Sequence, residues 1–248
     1  ITGAVFHIGG CSKSNGSGGG MTDDIQNEFT PVIASFVTKP IPFLGSDSRY
    51  HLTYELELTN ATSFNWIINS LEVLNANDHQ EVFANFSGDA VMPNNQIIPG
   101  RIPSEGLNGG ETSVFFITFS VDTIDDVPEK LAHRFKITIP GGIPEGFLAF
   151  LSLPPDTQEL NQILAEGKVS EENAVVMGPP LKGDKWVAAD GCCTAERHVR
   201  AVMPINGRLV ISQRYAIDWE KLNEDDKIFV GDPQDVNSYF SYGEEILA

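Results

Sequence analysis

Thiols and imidazoles are the side chains of this sequence that could carry chemistry near neutral pH. The chain has three cysteines and five histidines. Two of the cysteines, Cys192 and Cys193, are adjacent. Such a pair could form a strained vicinal disulfide, pair with a partner, stay reduced and buried, or bind zinc. The sequence has no C-x-x-C spacing and no second pair, so it favours a structural role at a turn.

The histidines of the central region show no spacing that is typical of a metal site. His51, His79 and His133 are far apart in the sequence, and each has polar neighbours. Metal-binding histidines usually recur at short, defined intervals. We therefore predict that these three side chains are solvated. His198 is the only histidine of the last third of the chain.

The third cysteine lies between an apolar run and a flexible tract. Residues 1–10 contain no Asp, Glu, Lys or Arg, and residues 12–20 are rich in Gly and Ser. Residues 8–11, Ile-Gly-Gly-Cys, resemble the lipobox of bacterial lipoproteins, in which the cysteine is acylated. The resemblance implies a signal-peptide remnant over 1–10, a linker over 11–28 and lipid attachment at Cys11. The alternative is a buried first strand followed by an incidental cysteine.

Composition excludes some functions. The formal net charge of −18 makes nucleic-acid binding a poor prediction, because a polyanion would be repelled. The hydrophobic content of 41% is typical of a globular protein. No apolar stretch of 18 residues exists, so no membrane-spanning helix is expected. The chain starts at Ile1 and stops in an apolar tail, and we expect it to be a fragment cut at both ends.

Short alternating runs separated by turn residues predict an all-β domain over residues 29–155. The clearest run is Tyr50–Leu58. Its odd-numbered residues, His51, Thr53, Glu55 and Glu57, are expected to face water. Residues 114–117, Val-Phe-Phe-Ile, are apolar on both faces and predict a central strand. The number and spacing of the strands predict an immunoglobulin-like β-sandwich that holds together without the usual disulfide.

Residues 156–177 are interpreted as a connector between two domains, because Pro154 and Pro155 break the strand pattern. Within the connector, Thr157 to Ala165 could form a short helix. Residues 178–248 then form a second, β-rich unit.

This second unit resembles a known family of enzymes. The residues that carry the resemblance include Trp186-Val187-Ala188-Ala189-Asp190-Gly191-Cys192-Cys193, His198-Val199-Arg200-Ala201, Asn206 to Trp219 and Tyr242-Gly243-Glu244-Glu245-Ile246-Leu247-Ala248. They are similar to the opening of the lysostaphin-type zinc metallopeptidases, the murein endopeptidases of metallopeptidase family twenty-three. That family has a first motif H-x-x-x-D and a later H-x-H. The resemblance implies the first part of a metallopeptidase domain.

The resemblance implies a zinc site in which Asp218 is the metal-binding carboxylate. The family's histidine four residues earlier is replaced by Arg214, whose guanidinium stays protonated and cannot coordinate a cation. His198 could substitute if the fold brings it beside Asp218. Otherwise His198 pairs with surface acids, and Arg214 forms a salt bridge with Asp218 on one face of a strand.

The resemblance further implies a lipid-anchored, extracytoplasmic protein of the bacterial cell envelope that hydrolyses peptidoglycan peptides with zinc. Without the H-x-H portion, residues 1–248 alone are not expected to be active. The alternative is a non-catalytic lipoprotein that binds a protein or glycan through its sandwich. The acidic residues of the last third lack the spacing of a calcium loop and are expected to be solvated: Glu220, Glu224, Asp225, Asp226, Asp232 and Asp235.

Overall fold

The computed structural model describes residues 29–98, 100, 102–191 and 197–247. The predictions for the signal-peptide remnant, the linker, Cys11, Cys192 and Cys193 lie outside these residues. Within the described part, the chain is mainly β, as predicted.

Fifteen strands lie in the described part: β1 Val32–Phe36, β2 Phe43–Leu44, β3 Tyr50–Asn60, β4 Trp66–Asn75, β5 Asp78–Ser87, β6 Asn95–Ile98, β7 Ile102–Pro103, β8 Gly106–Leu107, β9 Thr112–Val121, β10 Lys130–Thr138, β11 Leu160–Lys168, β12 Trp186–Asp190, β13 Val202–Ile205, β14 Arg208–Ile211 and β15 Asp218–Lys221. The helix α1 spans Glu145–Phe150, and short 3-10 helices span Gly88–Ala90, Met92–Asn94, Ile124–Asp126, Arg197–Arg200 and Val236–Ser238.

Two antiparallel sheets form the predicted sandwich. The first has the order β1-β3-β9-β6-β7, with β2 on β3, and the second has the order β11-β10-β4-β5, with β8 on β4. The order of the principal strands corresponds to the two sheets of an immunoglobulin-like domain. The sheets share one hydrophobic core, to which alternate residues of the longer strands contribute, among them Leu52, Trp66, Leu71, Phe115, Ile117 and Phe135.

The helix predicted over Thr157 to Ala165 is wrong. Strand β11 lies there instead and pairs with β10 from Ile137↔Leu160 to Lys130↔Lys168. Its inward-facing positions follow a period of two, since Leu160 and Gln162 are buried while Asn161 and Ile163 are exposed. The sandwich therefore continues through the first half of the segment interpreted as a connector. No helix of the described residues has the length and apolar character needed to cross a membrane.

The prediction that His133 is solvated is wrong. His133 is fully buried between the sheets, where its Nε2 lies 2.8 Å from the hydroxyl of Tyr54 and its Nδ1 lies 3.1 Å from the carbonyl oxygen of Ala165. A carbonyl only accepts, so Nδ1 carries the proton and Nε2 accepts from Tyr54. This bond joins β3 to β10, the pair of strands that a disulfide joins in antibody domains.

The burial of His133 makes stability depend on pH. Loss of solvation lowers the pKa of His133 from 6.5 to about 4. Below pH 6.5, His133 is therefore protonated in the unfolded chain but stays neutral in the folded chain until the pH approaches 4. We expect stability to be full above pH 6.5 and to fall by about 2 kcal/mol between pH 7 and pH 5. Urea unfolding at both pH values measures this. The matched control is His133→Gln, whose stability should lack this component of the pH dependence.

The C-terminal part of the chain covers the outer face of the first sheet. Val114 and Phe116 of β9 pack against Val199 and Val202 in a second apolar cluster, which Leu209 and Ile211 of β14 complete. This contact explains why residues 114–117 are apolar on both faces, and it confirms the prediction of a central strand. The expected water-facing side of β3 is wrong in part, because Thr53 and Glu55 are buried.

Two small two-stranded sheets build this covering segment. Strand β12 pairs with β15, and β13 pairs with β14, both antiparallel. Gly207 lies in the two-residue turn between β13 and β14 with a φ of 75°, in the left-handed region that glycine adopts without steric cost. The β12–β15 pair positions the acidic residues of the candidate site.

Candidate metal centre

Two carboxylates face each other across the β12–β15 pair. Asp190 ends β12, Asp218 begins β15, and the two residues are register partners. Like charges directly opposite on neighbouring strands destabilise a sheet. The pair is therefore unfavourable unless a positive charge lies between the carboxylates.

His198 supplies a nitrogen atom at this position. It lies in the 3-10 helix Arg197–Arg200, next to the buried Val199, and its side chain is 8% exposed. Its Nε2 is 3.3 Å from Oδ2 of Asp218 and 3.7 Å from Oδ2 of Asp190. One ligand atom from each of the three residues lies within 4.8 Å of the others, so the group could hold a metal ion.

The orientation of the His198 ring leaves Nε2 as the free nitrogen. Its Nδ1 lies 3.0 Å from the carbonyl oxygen of Ala216, and a carbonyl can only accept, so Nδ1 carries a proton. In the neutral ring, the lone pair of Nε2 then points towards two carboxylates. A lone pair and two anions repel, and the arrangement is satisfied by a proton on Nε2 or by a cation shared among the three side chains.

The distances fit a small tetrahedral cation. Ligand atoms that lie about 2.0–2.2 Å from zinc in a tetrahedral site are about 3.4 Å from one another. The two distances from His198 Nε2 bracket that value. The side chain of Asp190 is 11% exposed, whereas that of Asp218 is 59% exposed, so one side of the cluster is open to solvent. An imidazole and two carboxylates are ligands that zinc accepts, and an open side leaves room for a water ligand.

The carboxylate of Asp190 is oriented by the backbone N–H of the next residue, Gly191. Gly191 N–H donates to Oδ1 over 2.9 Å, and the buried Oδ2 is the oxygen that faces His198 and Arg197. Arg197 Nε lies 2.5 Å from that Oδ2, but the Arg197 side chain is 71% exposed. Its guanidinium therefore neutralises Asp190 from the solvent side and competes with any cation for the same oxygen.

Arg214 does not form the predicted salt bridge with Asp218. It lies in the turn after β14 rather than on a strand, and its side chain is buried. Its Nε donates to Oε1 of Glu55 over 3.0 Å, and one terminal nitrogen donates to Oε2 of Glu55 and to the Thr38 hydroxyl, the latter over 2.6 Å. Arg214 therefore binds the sandwich, and the side chain that faces Asp218 is His198.

The structure brings together the two residues that sequence reasoning selected, Asp218 and His198, but sequence reasoning missed Asp190. Asp190 occurs in the quoted segment 186–193, yet its role depends on the register of β12 against β15, which the residue pattern does not show. The acidic residues Glu224, Asp225, Asp226, Asp232 and Asp235 are exposed, as expected, and Glu224 pairs with Lys185. Glu220 differs from the expectation, because it is half-buried and accepts a hydrogen bond from the Ser241 hydroxyl over 3.0 Å.

Comparison with known proteins gives little further information. No known protein family and no curated protein matches the chain. One similar solved structure is the X-ray structure of Northeast Structural Genomics Consortium target SoR45, with 8% identity and a TM-score of 0.30, over 62% of this chain and 93% of that chain. A likeness of this size carries no argument about function.

Removal of the competing guanidinium should strengthen cation binding. We expect Arg197→Gln to lower the zinc dissociation constant by about 2- to 5-fold, since an exposed ion pair contributes up to about 1 kcal/mol. Zinc titration in competition with a chromophoric chelator measures the change. The matched control is Arg208→Gln, which removes an exposed arginine of the same segment. Equal affinities of Arg197→Gln and the parent would exclude competition at Asp190.

Proposed function

We propose that this protein is a zinc metallopeptidase of the lysostaphin type, which holds zinc through Asp190, His198 and Asp218 and acts on peptide cross-links of peptidoglycan. The observation that carries the proposal is the position of His198 Nε2, 3.3 Å and 3.7 Å from the carboxylates of Asp218 and Asp190. The sequence resemblance around Asp218 supports the choice of family, and the donor set supports a transition metal.

The three side chains would each have a defined part in this function. His198, held by the Ala216 carbonyl, presents Nε2 to the ion, and the buried Asp190 offers Oδ2. Asp218 completes the set from the solvent side, where a peptide substrate has access. Bound zinc would lower the pKa of a coordinated water and polarise the peptide carbonyl. Hydrolysis also needs a proton acceptor, and His51, His79 and His133 belong to the sandwich rather than to this cluster.

The zinc centre is tested by removing one ligand charge at a time. We expect the parent chain to bind one zinc ion, and Asp218→Asn and Asp190→Asn each to weaken binding at least 10-fold, because an amide is a much poorer ligand than a carboxylate. Metal analysis and chelator competition measure this. The control is Asp225→Asn, which changes an exposed aspartate outside the cluster. Equal zinc content in all four proteins would remove the cluster from consideration.

A second candidate is a non-catalytic envelope protein that binds a protein or glycan through its sandwich. Arg214 favours this second candidate. It occupies the position of the family's histidine, but it is bonded to Glu55 and its guanidinium cannot be a metal ligand. Incubation with purified peptidoglycan separates the two candidates. Zinc-dependent release of peptides favours the enzyme, whereas cosedimentation without release favours the binding protein.

We also propose that the protein is extracytoplasmic and anchored to the bacterial membrane by acylation of Cys11. The apolar residues before this cysteine and the Gly/Ser tract after it support the proposal. Each buried methylene of an acyl chain contributes about 0.8 kcal/mol to membrane binding. We therefore expect Cys11→Ser to move the protein from the membrane fraction to the supernatant. Cys193→Ser is the control, and unchanged partitioning of Cys11→Ser would contradict the anchor.

A further inference from the structure

We propose that Arg214 is a positioning residue for the metal centre: by binding Glu55 of the sandwich, it fixes the turn whose Ala216 carbonyl orients His198. This inference rests on the proposed zinc site and assigns a role to a side chain that cannot itself be a ligand. Three contacts connect the sandwich to the turn, the turn to the imidazole, and the imidazole to the carboxylates.

The first contact fixes the turn. The guanidinium of Arg214 makes two hydrogen bonds to Glu55 on β3 and one to Thr38, and the Glu55 side chain has no solvent exposure. Two parallel bonds between a guanidinium and a carboxylate define orientation as well as distance. The next residue, Tyr215, has its ring edge-on to Phe43, with 6.1 Å between the ring centroids. The turn is therefore attached to the first sheet at two successive residues.

The second contact transmits this position to the imidazole. Ala216 follows two residues after Arg214, and its N–H donates to the Gln213 carbonyl over 3.0 Å, which closes the turn. Its own carbonyl oxygen accepts from Nδ1 of His198 over 3.0 Å. Partners of this kind hold the tautomer and ring orientation of metal-binding histidines, and their loss typically costs about 10- to 100-fold in metal affinity.

The third contact places the carboxylate. Asp218 lies two residues beyond Ala216, at the first position of β15, and its Oδ2 is 3.3 Å from His198 Nε2. A displacement of the turn would therefore move both the carbonyl that orients the ring and the carboxylate that faces it. His198 has an independent attachment, because Val199 is buried against Val114 and Phe116 of β9. The turn and the histidine are thus held by two different strands of one sheet.

The test replaces the ion pair without leaving a lone buried charge. The double variant Glu55→Gln with Arg214→Met keeps the length of the first side chain and an unbranched apolar stem at the second, and it removes both charges. The matched control is Glu72→Gln with Arg134→Met, which removes the ion pair between β4 and β10 in the opposite sheet. Three quantities are measured on the full chain: the zinc dissociation constant, the urea midpoint, and the tautomer of the neutral His198 ring in the zinc-free protein, from its ring nitrogen chemical shifts at alkaline pH.

We expect the Arg214 double variant to bind zinc about 10-fold more weakly and to lose the single Nδ1–H tautomer, while the control pair keeps both. The tautomer is a local property, which a merely structural role of Arg214 in stability would not change. If the Arg214 variant keeps the parent's tautomer and affinity, or if the control pair loses them to the same extent, the inference is overturned.

Two further outcomes remain informative. If the parent binds no zinc but the tautomer changes only in the Arg214 variant, the zinc site is refuted and the positioning role stands. If the double variant does not fold, Thr38→Val takes its place, since it removes one hydrogen bond to the guanidinium at an exposed position. A smaller shift in the same two measurements then supports the inference, and an unchanged tautomer overturns it.

Discussion

A buried carboxylate on β3 determines how the two parts of this chain are joined. Glu55 is fully buried, and burial raises its pKa while the charge of Arg214 opposes that change. An unpaired charge in such a place costs several kcal/mol, so the sandwich alone would be incomplete. Arg214, 159 residues further along, supplies the missing charge. The covering segment is therefore attached to the sandwich by a buried ion pair as well as by apolar contacts.

This joining gives the sandwich a function in the candidate site. The outer face of the first sheet carries an apolar patch on β9 and an ionic anchor on β3. The apolar patch holds the 3-10 helix of His198, and the anchor holds the turn before Asp218. Neither attachment contacts the candidate ligands directly, yet both decide where the ligands lie. In physical terms the sheet is a rigid support, and the β12–β15 pair adds the second carboxylate.

The predictability of this structure from its sequence depended on the type of interaction. Period-two patterns correctly predicted the central strands, because alternation reflects which face is buried. The same rule misplaced Glu55, and the lack of metal-ligand spacing misplaced His133. Both are polar residues whose burial is balanced by a partner distant in sequence. Asp190 could not be found for a related reason: its role depends on strand register. His198 could be selected as a candidate ligand because it is the only histidine of the last third of the sequence.

In the proposed centre, Arg214 stands where the motif that the sequence resembles has a histidine, which changes the ligand set as well as its attachment. With one imidazole and two carboxylates, the cluster is richer in oxygen than a site with two imidazoles would be. Oxygen ligands broaden the range of divalent cations that a site accepts, whereas imidazole favours zinc and its neighbours. Selectivity for one divalent cation must then come from the positions of the ligand atoms. A ring held by the Ala216 carbonyl and a carboxylate held by Gly191 would leave a bound cation little freedom in its coordination distances. Rigid anchoring to the sandwich is therefore the means by which an oxygen-rich cluster of this kind could still favour a small, tetrahedral ion.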